Sequence, residues 1–433
     1  MITKWKVVGA AVVATLILLS FLAGGLLGVP QGDVSADNPD APGHWKVHIE
    51  KYQPPLPLGY DTVPLDCEEV TVAAMQMVKV PVDVNNPGPG IQQNVDIMLD
   101  MCDEAYHDYG ARLAVFNEFT LTGFGFNWTR EQWLNGNAIM VPGPETEEIT
   151  DFAREHDMYI AFASHFQQPD WPGHFFNGAI IIGPSGVILT HWKAYWGYPG
   201  IGMEYSTTVS DVLDEFVKRH GWDAVWPVAR TPIGNLSAYV CSEAFFNAGE
   251  IERVYSNKGA EILCRMFGGS GWGNWGGRMK HVFIGACAMN MVWGVDGNGG
   301  RDTGPDDPAN SMSGSSMIVD PLGNIVAMSP TIRKDIVTWT IPIAEFRTEA
   351  NRYDKFHNPN TPASFYRGGL RTELFVPEYL QHPNQFPPNL LTEYQKKHKG
   401  QLPPDFCTSR EWYLEHQRYE FDYNELGDTL CPE

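Results

Sequence analysis

Three reactive side chains lie just beyond apolar runs. Val115-Phe116-Asn117-Glu118 places a carboxylate after a buried β pattern, Ile188-Leu189-Thr190-His191-Trp192-Lys193 an amine, and Ala238-Tyr239-Val240-Cys241 a thiol. Carboxylate, amine and thiol are the groups from which covalent and acid–base catalysis is assembled. At the ends of sheet strands they sit on rigid supports and face a common crevice. Singly, each has a plainer explanation, because a carboxylate or lysine after a strand is mostly solvated and a cysteine there is mostly core. The case rests on the three together.

The elements that must hold them follow from the periodicity. Val70 to Val84 is an apolar, β-branched strand candidate. Val95, Met98, Cys102, Ala105, Tyr106 and Tyr109 recur at helical spacing, with Gly110 as a C-terminal stop. Leu113 to Phe116 reads as a buried strand, Glu145 to His156 as a helix with Ile149, Phe152 and Ala153 inward, and Tyr159 to Ala163 as the next strand. Asn177 to Lys193 reads as a hairpin about Gly183-Pro184-Ser185-Gly186. Leu236 to Val240 and Glu261 to Cys264 are strands flanking a helix over Glu250 to Asn257, closed by Gly259. A helix from about Arg278 to Met291 leads to the strand Val292 to Val295. Ser315 to Val319 with Asn324 to Met328 makes a hairpin, and Ile336 to Ile341 ends the regular pattern. Mixed β and helical units of this length indicate one large α/β domain, over 67–347.

The 433 residues are 43% hydrophobic, 12% aromatic and 19% charged, which excludes a disordered chain. Thirty Lys+Arg against 52 Asp+Glu leave a formal charge of −22, a surface that repels phosphate backbones, so no nucleic-acid partner is expected.

Three blocks then stand in order. The first is Asn117-Glu118-Phe119-Thr120-Leu121-Thr122-Gly123-Phe124. The second runs from Phe176-Asn177-Gly178 through Gly183-Pro184-Ser185-Gly186 to His191-Trp192-Lys193. The third is Cys241-Ser242-Glu243, then Gly249-Glu250-Ile251-Glu252-Arg253 and Gly259-Ala260-Glu261-Ile262-Leu263-Cys264-Arg265. Over about residues 70–345 they resemble, in order and spacing, the nitrilase superfamily of carbon–nitrogen hydrolases. The chain departs from the family pattern at Asn117 (usually Pro), Trp192 (usually Arg), Ala248-Gly249 (usually Phe-Pro) and Ser242 after the cysteine. These departures leave Glu118, Lys193 and Cys241 intact and leave the substrate class open.

The resemblance implies an α-β-β-α sandwich, each domain giving half of a four-layer arrangement with a partner subunit, hence a homodimer or higher oligomer. It implies Cys241 as nucleophile, Glu118 as general base and Lys193 as electrostatic stabiliser, with Lys193 and the backbone N–H of Ser242 as oxyanion donors. A thiol and a Glu differ by about 4 pKa units, nearly 6 kcal/mol against proton transfer, which burial of Glu118 and a nearby Lys193 would narrow. Glu204 is the candidate for the family's second glutamate, with a solvated loop carboxylate as the equal alternative. The Gly259 to Arg265 run is similar to the aliphatic amidase version, so a small aliphatic amide is the first substrate class and a nitrile the alternative within the family. A catalytically silent scaffold of a membrane complex is the rival from another class.

Phe124, Ser242, Trp272 and Trp275 are the candidate substrate-binding residues. Gly271-Trp272-Gly273-Asn274-Trp275-Gly276 formally matches G-x-G-x-x-G with Asp296 20 residues on. Two tryptophans are poor company for a pyrophosphate, so the loop reads as a pocket wall and no cofactor is expected. Neither H-e-x-x-H nor Cys-x-x-Cys spacing occurs, so no metal is expected. Cys102, Cys264 and Cys287 read as buried thiols. Cys407 and Cys431 flank the tail and are candidates for a disulfide outside the cytoplasm. Asn127-Trp128-Thr129 and Asn235-Leu236-Ser237 fit the glycosylation pattern, but the second opens a buried strand and neither is counted.

Val7 to Val29 carries no charge, and 23 residues at about 1.5 Å each could cross a bilayer core of roughly 30 Å. Lys4 and Lys6 precede it and Asp33, Asp37 and Asp40 follow, which places the bulk of the chain outside the cytoplasm. A cleaved signal ending near Val34-Ser35-Ala36 is the rival reading, though its apolar core would be unusually long. Residues 1–30 are therefore assigned as anchor or signal and 31–66 as linker. Residues 348–433, with nine prolines and several aromatics, form an extension that straps the domain or a neighbouring subunit.

Overall fold

The computed structural model describes residues 60–123, 128–194, 206–241, 243, 249–268, 275–301 and 314–350, without the side chains of 275–279, 349 and 350. The candidate anchor and linker up to residue 59, and the extension beyond 350 with Cys407 and Cys431, lie outside them. No helix among the described residues is long and apolar enough to cross a membrane.

The strands are β1 (Val70–Gln76), β2 (Ala111–Val115), β3 (Ile139–Met140), β4 (Tyr159–Gln167), β5 (Phe176–Gly183), β6 (Gly186–Trp192), β7 (Val228–Thr231), β8 (Gly234–Val240), β9 (Ile262–Phe267), β10 (Trp293–Asn298), β11 (Met317–Val319), β12 (Ile325–Met328) and β13 (Asp335–Ile341). The helices used below are α1 (Pro87–Tyr109), α2 (Pro144–His156), α3 (Leu213–His220), α4 (Glu250–Asn257), α5 (Trp275–Asn290) and α6 (Ile343–Ala350). One sheet runs β13-β1-β2-β4-β5-β6, with β3 beside β4; the other runs β12-β11-β10-β9-β8-β7. The centres β1-β2-β4 and β8-β9-β10 are parallel and the flanks antiparallel.

Alternation along each strand separates the layers. Ala73, Met75, Ile160 and Phe162 pack on α1 and α2 through Ile91, Val95, Met98, Ile149 and Ala153. Their strand neighbours Val72, Ala74, Ala161 and Ala163 instead meet Ala238, Val240, Ile262, Cys264 and Met266 of the second sheet. Tyr239, Leu263 and Met317 turn outward onto Ile251 and Tyr255 of α4 and Phe283 and Cys287 of α5. Strands buried on both faces read as continuous apolar runs, as these do. All four α-β-β-α layers thus come from one chain, which corrects the expectation that a partner supplies half of them.

Small residues let the sheets approach closely. A Cβ at Gly297 of β10 would stand 2.4 Å from the carbonyl oxygens of Val115 and Phe116 at the end of β2. Between β9 and β10, Arg265 and Asp296 face each other in register and form a buried two-point pair, Nε to Oδ1 at 2.8 Å and Nη2 to Oδ2 at 2.5 Å. The Phe283 ring lies 4.3 Å from that guanidinium. Burial alone would lower the Arg265 pKa, and Asp296 more than reverses this. Asp296 therefore has a structural partner rather than a ribose to bind.

Differences from the sequence reading have local causes. The first strand stops at Gln76 instead of Val84, because the side chain of Asn94 takes over hydrogen bonding to the backbone of Val80, accepting from its N–H at 2.8 Å and donating to its C=O at 3.2 Å. β7 is a short, half-buried edge strand, and α3 buries only Phe216 among charged residues, so neither has a clear apolar period. Asn235 is fully buried, with its amide donating to the carbonyls of Asp61 and Gly259, so it offers no glycan acceptor.

Truncation of Asp296 to Ala strands the Arg265 charge in the core. Urea denaturation should show a loss of about 3–5 kcal/mol; a loss below about 1 kcal/mol would mean that the Arg265 charge is not left stranded.

Candidate functional site

Glu118 lies three residues past β2, on a turn built by its neighbours. Phe116 N–H still bonds to Ala161 C=O at 2.7 Å, Asn117 Nδ2 donates to Glu118 C=O at 2.6 Å, and Phe119 has a left-handed φ of 60°. The chain reverses there, and the Glu118 side chain enters the seam between the sheets at 1% exposure. Lys193, one residue past β6, donates to Glu118 Oε1 at 2.9 Å, and Asn177 Nδ2 of β5 donates to the same oxygen at 2.8 Å. Asn177 also binds the Lys193 backbone through its C=O at 2.8 Å, so one residue sets both ends of this pair.

Cys241 directly follows β8 on the other sheet. Its N–H bonds to Met266 C=O at 3.0 Å and its φ is 39°, a left-handed conformation strained for a residue with a Cβ. Its thiol lies close enough to Glu118 and Lys193 to feel both charges. Burial pushes the thiol pKa well above the usual range, helped by the Glu118 charge, while Lys193 and the Gly268 backbone N–H act in the opposite direction. Gly268 follows β9, and a Cβ there would sit 2.5 Å from Glu118 Oε2, so only glycine leaves the carboxylate in place. Three residues read from sequence as separate strand ends thus come together, Glu118 and Lys193 buried and Cys241 partly exposed.

Residues 71–349, more than half of the chain, match the model of the family described as carbon-nitrogen hydrolase. The chain belongs to the carbon-nitrogen hydrolase family. The chain is 28% identical over 198 residues to a formamidase of Bacillus thuringiensis (strain Al Hakam), covering 44% of this chain and 52% of that protein. It is 27% identical over the same span to a formamidase of Bacillus anthracis. The chain thus spans about half the length of the curated relatives it matches. A solved structure of a double mutant of the amidase from Nesterenkonia sp. AN1 in complex with acrylamide shares the fold, with a TM-score of 0.52 at 15% identity, over 73% of this chain and 100% of that one.

Two further supports in the chain did not stand out as site residues from sequence. Glu243, two positions past Cys241, is fully buried. Its Oε1 accepts the N–H of Ala194 at 2.6 Å, next to Lys193, and its Oε2 accepts the N–H of Val240 at 2.9 Å, next to Cys241. His191 Nε2 lies 2.9 Å from the same carboxylate. One side chain therefore clamps the lysine-bearing and cysteine-bearing strand ends together. Asn177, His191 and Glu243 all fall within the sequence blocks, which was the available signal, but no chemical pattern separated them from their neighbours.

The other support is Lys79, 4% exposed and beyond the end of β1, whose Nζ donates to Phe119 C=O at 3.1 Å and approaches Glu118 C=O at 3.5 Å. It pins the reversal that presents Glu118. His165 stacks on Phe119 with ring centroids 5.1 Å apart. Burial, reinforced by Lys193 and Lys79, holds His165 well below the usual histidine range, so its ring is neutral. Phe124, Glu204, Ser242 and Trp272 lie outside the described residues. Trp275 begins α5, and its side chain lies outside them too. No metal-ligating cluster falls at this crevice among the described residues.

Burial pushes the Lys79 pKa down to about 7, with Glu118 pulling the other way. The unfolded chain keeps that lysine protonated to about pH 10.4, so between about 7 and 10.4 the unfolded state binds the extra proton. The cost of Lys79 is then fullest below pH 7 and is relieved as pH rises. From about pH 7 to about pH 8.5, wild type should gain about 1–2 kcal/mol over Lys79→Met in urea unfolding. Parallel pH profiles would show that Lys79 stays charged in the fold.

Proposed function

We propose that this hydrolase is an amidase, converting a small aliphatic amide to its carboxylic acid and ammonia through a thioester on Cys241. The observation that carries this reading is the buried carboxylate of Glu118, paired with the Lys193 ammonium at 2.9 Å, with both charges acting on the nearby Cys241 thiol. Glu118 takes the thiol proton as sulfur attacks the amide carbonyl carbon. The tetrahedral oxyanion is held by Lys193, with the backbone N–H of Ser242 as the second candidate donor. Collapse breaks the C–N bond, and Glu118 returns the proton to the departing nitrogen, releasing ammonia. A water that gives its proton to Glu118 then cleaves the thioester, and the acid leaves with Cys241 restored. The formamidase relatives and the acrylamide-bound amidase support a small acyl group; Phe124, Glu204, Trp272 and Trp275 remain the candidates for the remainder of the pocket.

The reading includes an anchor over residues 7–29 that carries the catalytic domain on the extracytoplasmic face, supported by the uncharged run and the flanking charges. It includes a homodimer or larger assembly, supported by Val254 of α4 and Met289 of α5, which are 37% and 49% exposed on the outer helical layer.

Purified wild type should release ammonia from one or more of formamide, acetamide and propionamide, Cys241→Ala from none, and Glu118→Gln about 10²- to 10⁴-fold more slowly than wild type. Turnover of the matching nitriles but not the amides would make it a nitrilase. No turnover by folded wild type would favour a scaffold. For the anchor, full-length protein should stay with membranes through alkaline carbonate extraction and a chain lacking 7–29 should not; equal extraction of both would refute it.

A further inference from the structure

Away from the crevice, the outer helical layer gathers side chains that amide hydrolysis does not use. Asp103 and His107 stand one turn apart on α1, spaced to share a face, and His156 closes α2 beside them. His107 Nε2 lies 3.4 Å and His156 Nε2 3.8 Å from Asp103 Oδ1. One ligand-capable atom from each residue lies within 4.8 Å of the others, and this is the one such trio among the described residues. Ligands bound tetrahedrally to zinc at about 2.0–2.1 Å stand about 3.4 Å apart, so small side-chain adjustments would close the set. We propose that Asp103, His107 and His156 form a site for a zinc-like divalent cation that clips α1 to α2.

The surroundings prepare these atoms. His156 Nδ1 lies 3.0 Å from the Phe152 carbonyl oxygen. A carbonyl can only accept, so Nδ1 carries the hydrogen and the Nε2 of a neutral ring presents its lone pair towards Asp103, the usual arrangement of a zinc-binding histidine. The Phe152 ring stacks on His156 at 4.1 Å, and Tyr106 meets both histidine rings edge-on at 5.0 Å, which limits their rotation. Two imidazoles with one carboxylate select zinc over calcium or magnesium, which favour all-oxygen sets. Arg112 and Arg154, the basic residues near these helix ends, are engaged by Asp66 and Asp157 and by Asp151 respectively, so neither is committed to Asp103. Asp103 and His107 are solvent-exposed, so water completes the coordination and the site acts as a surface tie.

The test uses the full chain carrying Cys241→Ala, so that the nucleophile takes no part. It is titrated with zinc in competition with a chromophoric chelator, alongside the same chain with His107→Ala, His156→Ala or both. The parent should bind one more zinc ion than the double variant, and each single variant should bind at least about tenfold more weakly. Cobalt should give the intense visible bands of tetrahedral coordination in the parent only, and zinc should raise the parent's Tm and not the double variant's. The exposed His107 can be truncated without touching the core, so its variant separates loss of metal from loss of fold. Equal stoichiometry and affinity in the parent and all variants would overturn the site and leave an ion-paired histidine cluster.

Discussion

The close approach of the two sheets is the constraint on which the site depends. Glu118 and Lys193 hang from one sheet and Cys241 from the other, so the proposed proton exchange between carboxylate and thiol requires the facing layers to meet without large side chains between them. Ala74, Ala161, Ala163 and Ala238 supply that thinness, and Gly297 and Gly268 supply it where backbone or carboxylate is the neighbour. The same packing that excludes water from the core excludes it from around Glu118.

Burying this much charge is tolerable because each group has company. Lys193 and Asn177 meet the carboxylate oxygen, and Lys79 meets the turn behind it. In the proposed reaction a proton passes from Cys241 to Glu118, and negative charge moves from oxygen to sulfur within a positive field that is already in place. No large solvent rearrangement has to accompany the transfer, which is the advantage of preorganised groups over water. The two left-handed residues, Phe119 and Cys241, are where the chain bends sharply enough to present these side chains from strand ends.

The fold was legible wherever a strand is buried on both faces or a helix carries an apolar stripe. The Glu250–Asn257 helix and the hairpin about Gly183 to Gly186 were read closely from periodicity alone. β7 and α3 were not, because an edge strand and a charged surface helix bury too little to leave a period. Glu118, Lys193 and Cys241 were visible because polar residues ending apolar runs stand out. Asn177 and Glu243 were hidden because the groups they bind, the Glu118 carboxylate and the Lys193 N–H for the first and the Ala194 N–H and the His191 ring for the second, lie on distant segments that no local spacing encodes. Lys79 was masked by the apolar run around it, which looked like continuing strand.

Glu243 has one more implication. The gap between the lysine-bearing and cysteine-bearing ends is bridged by a single side chain with two oxygens, each accepting one of the adjoining N–H groups. At the strand ends that gap is therefore gauged by the length of a carboxylate, like a spacer between two rails set on the thin layer that the small core residues allow.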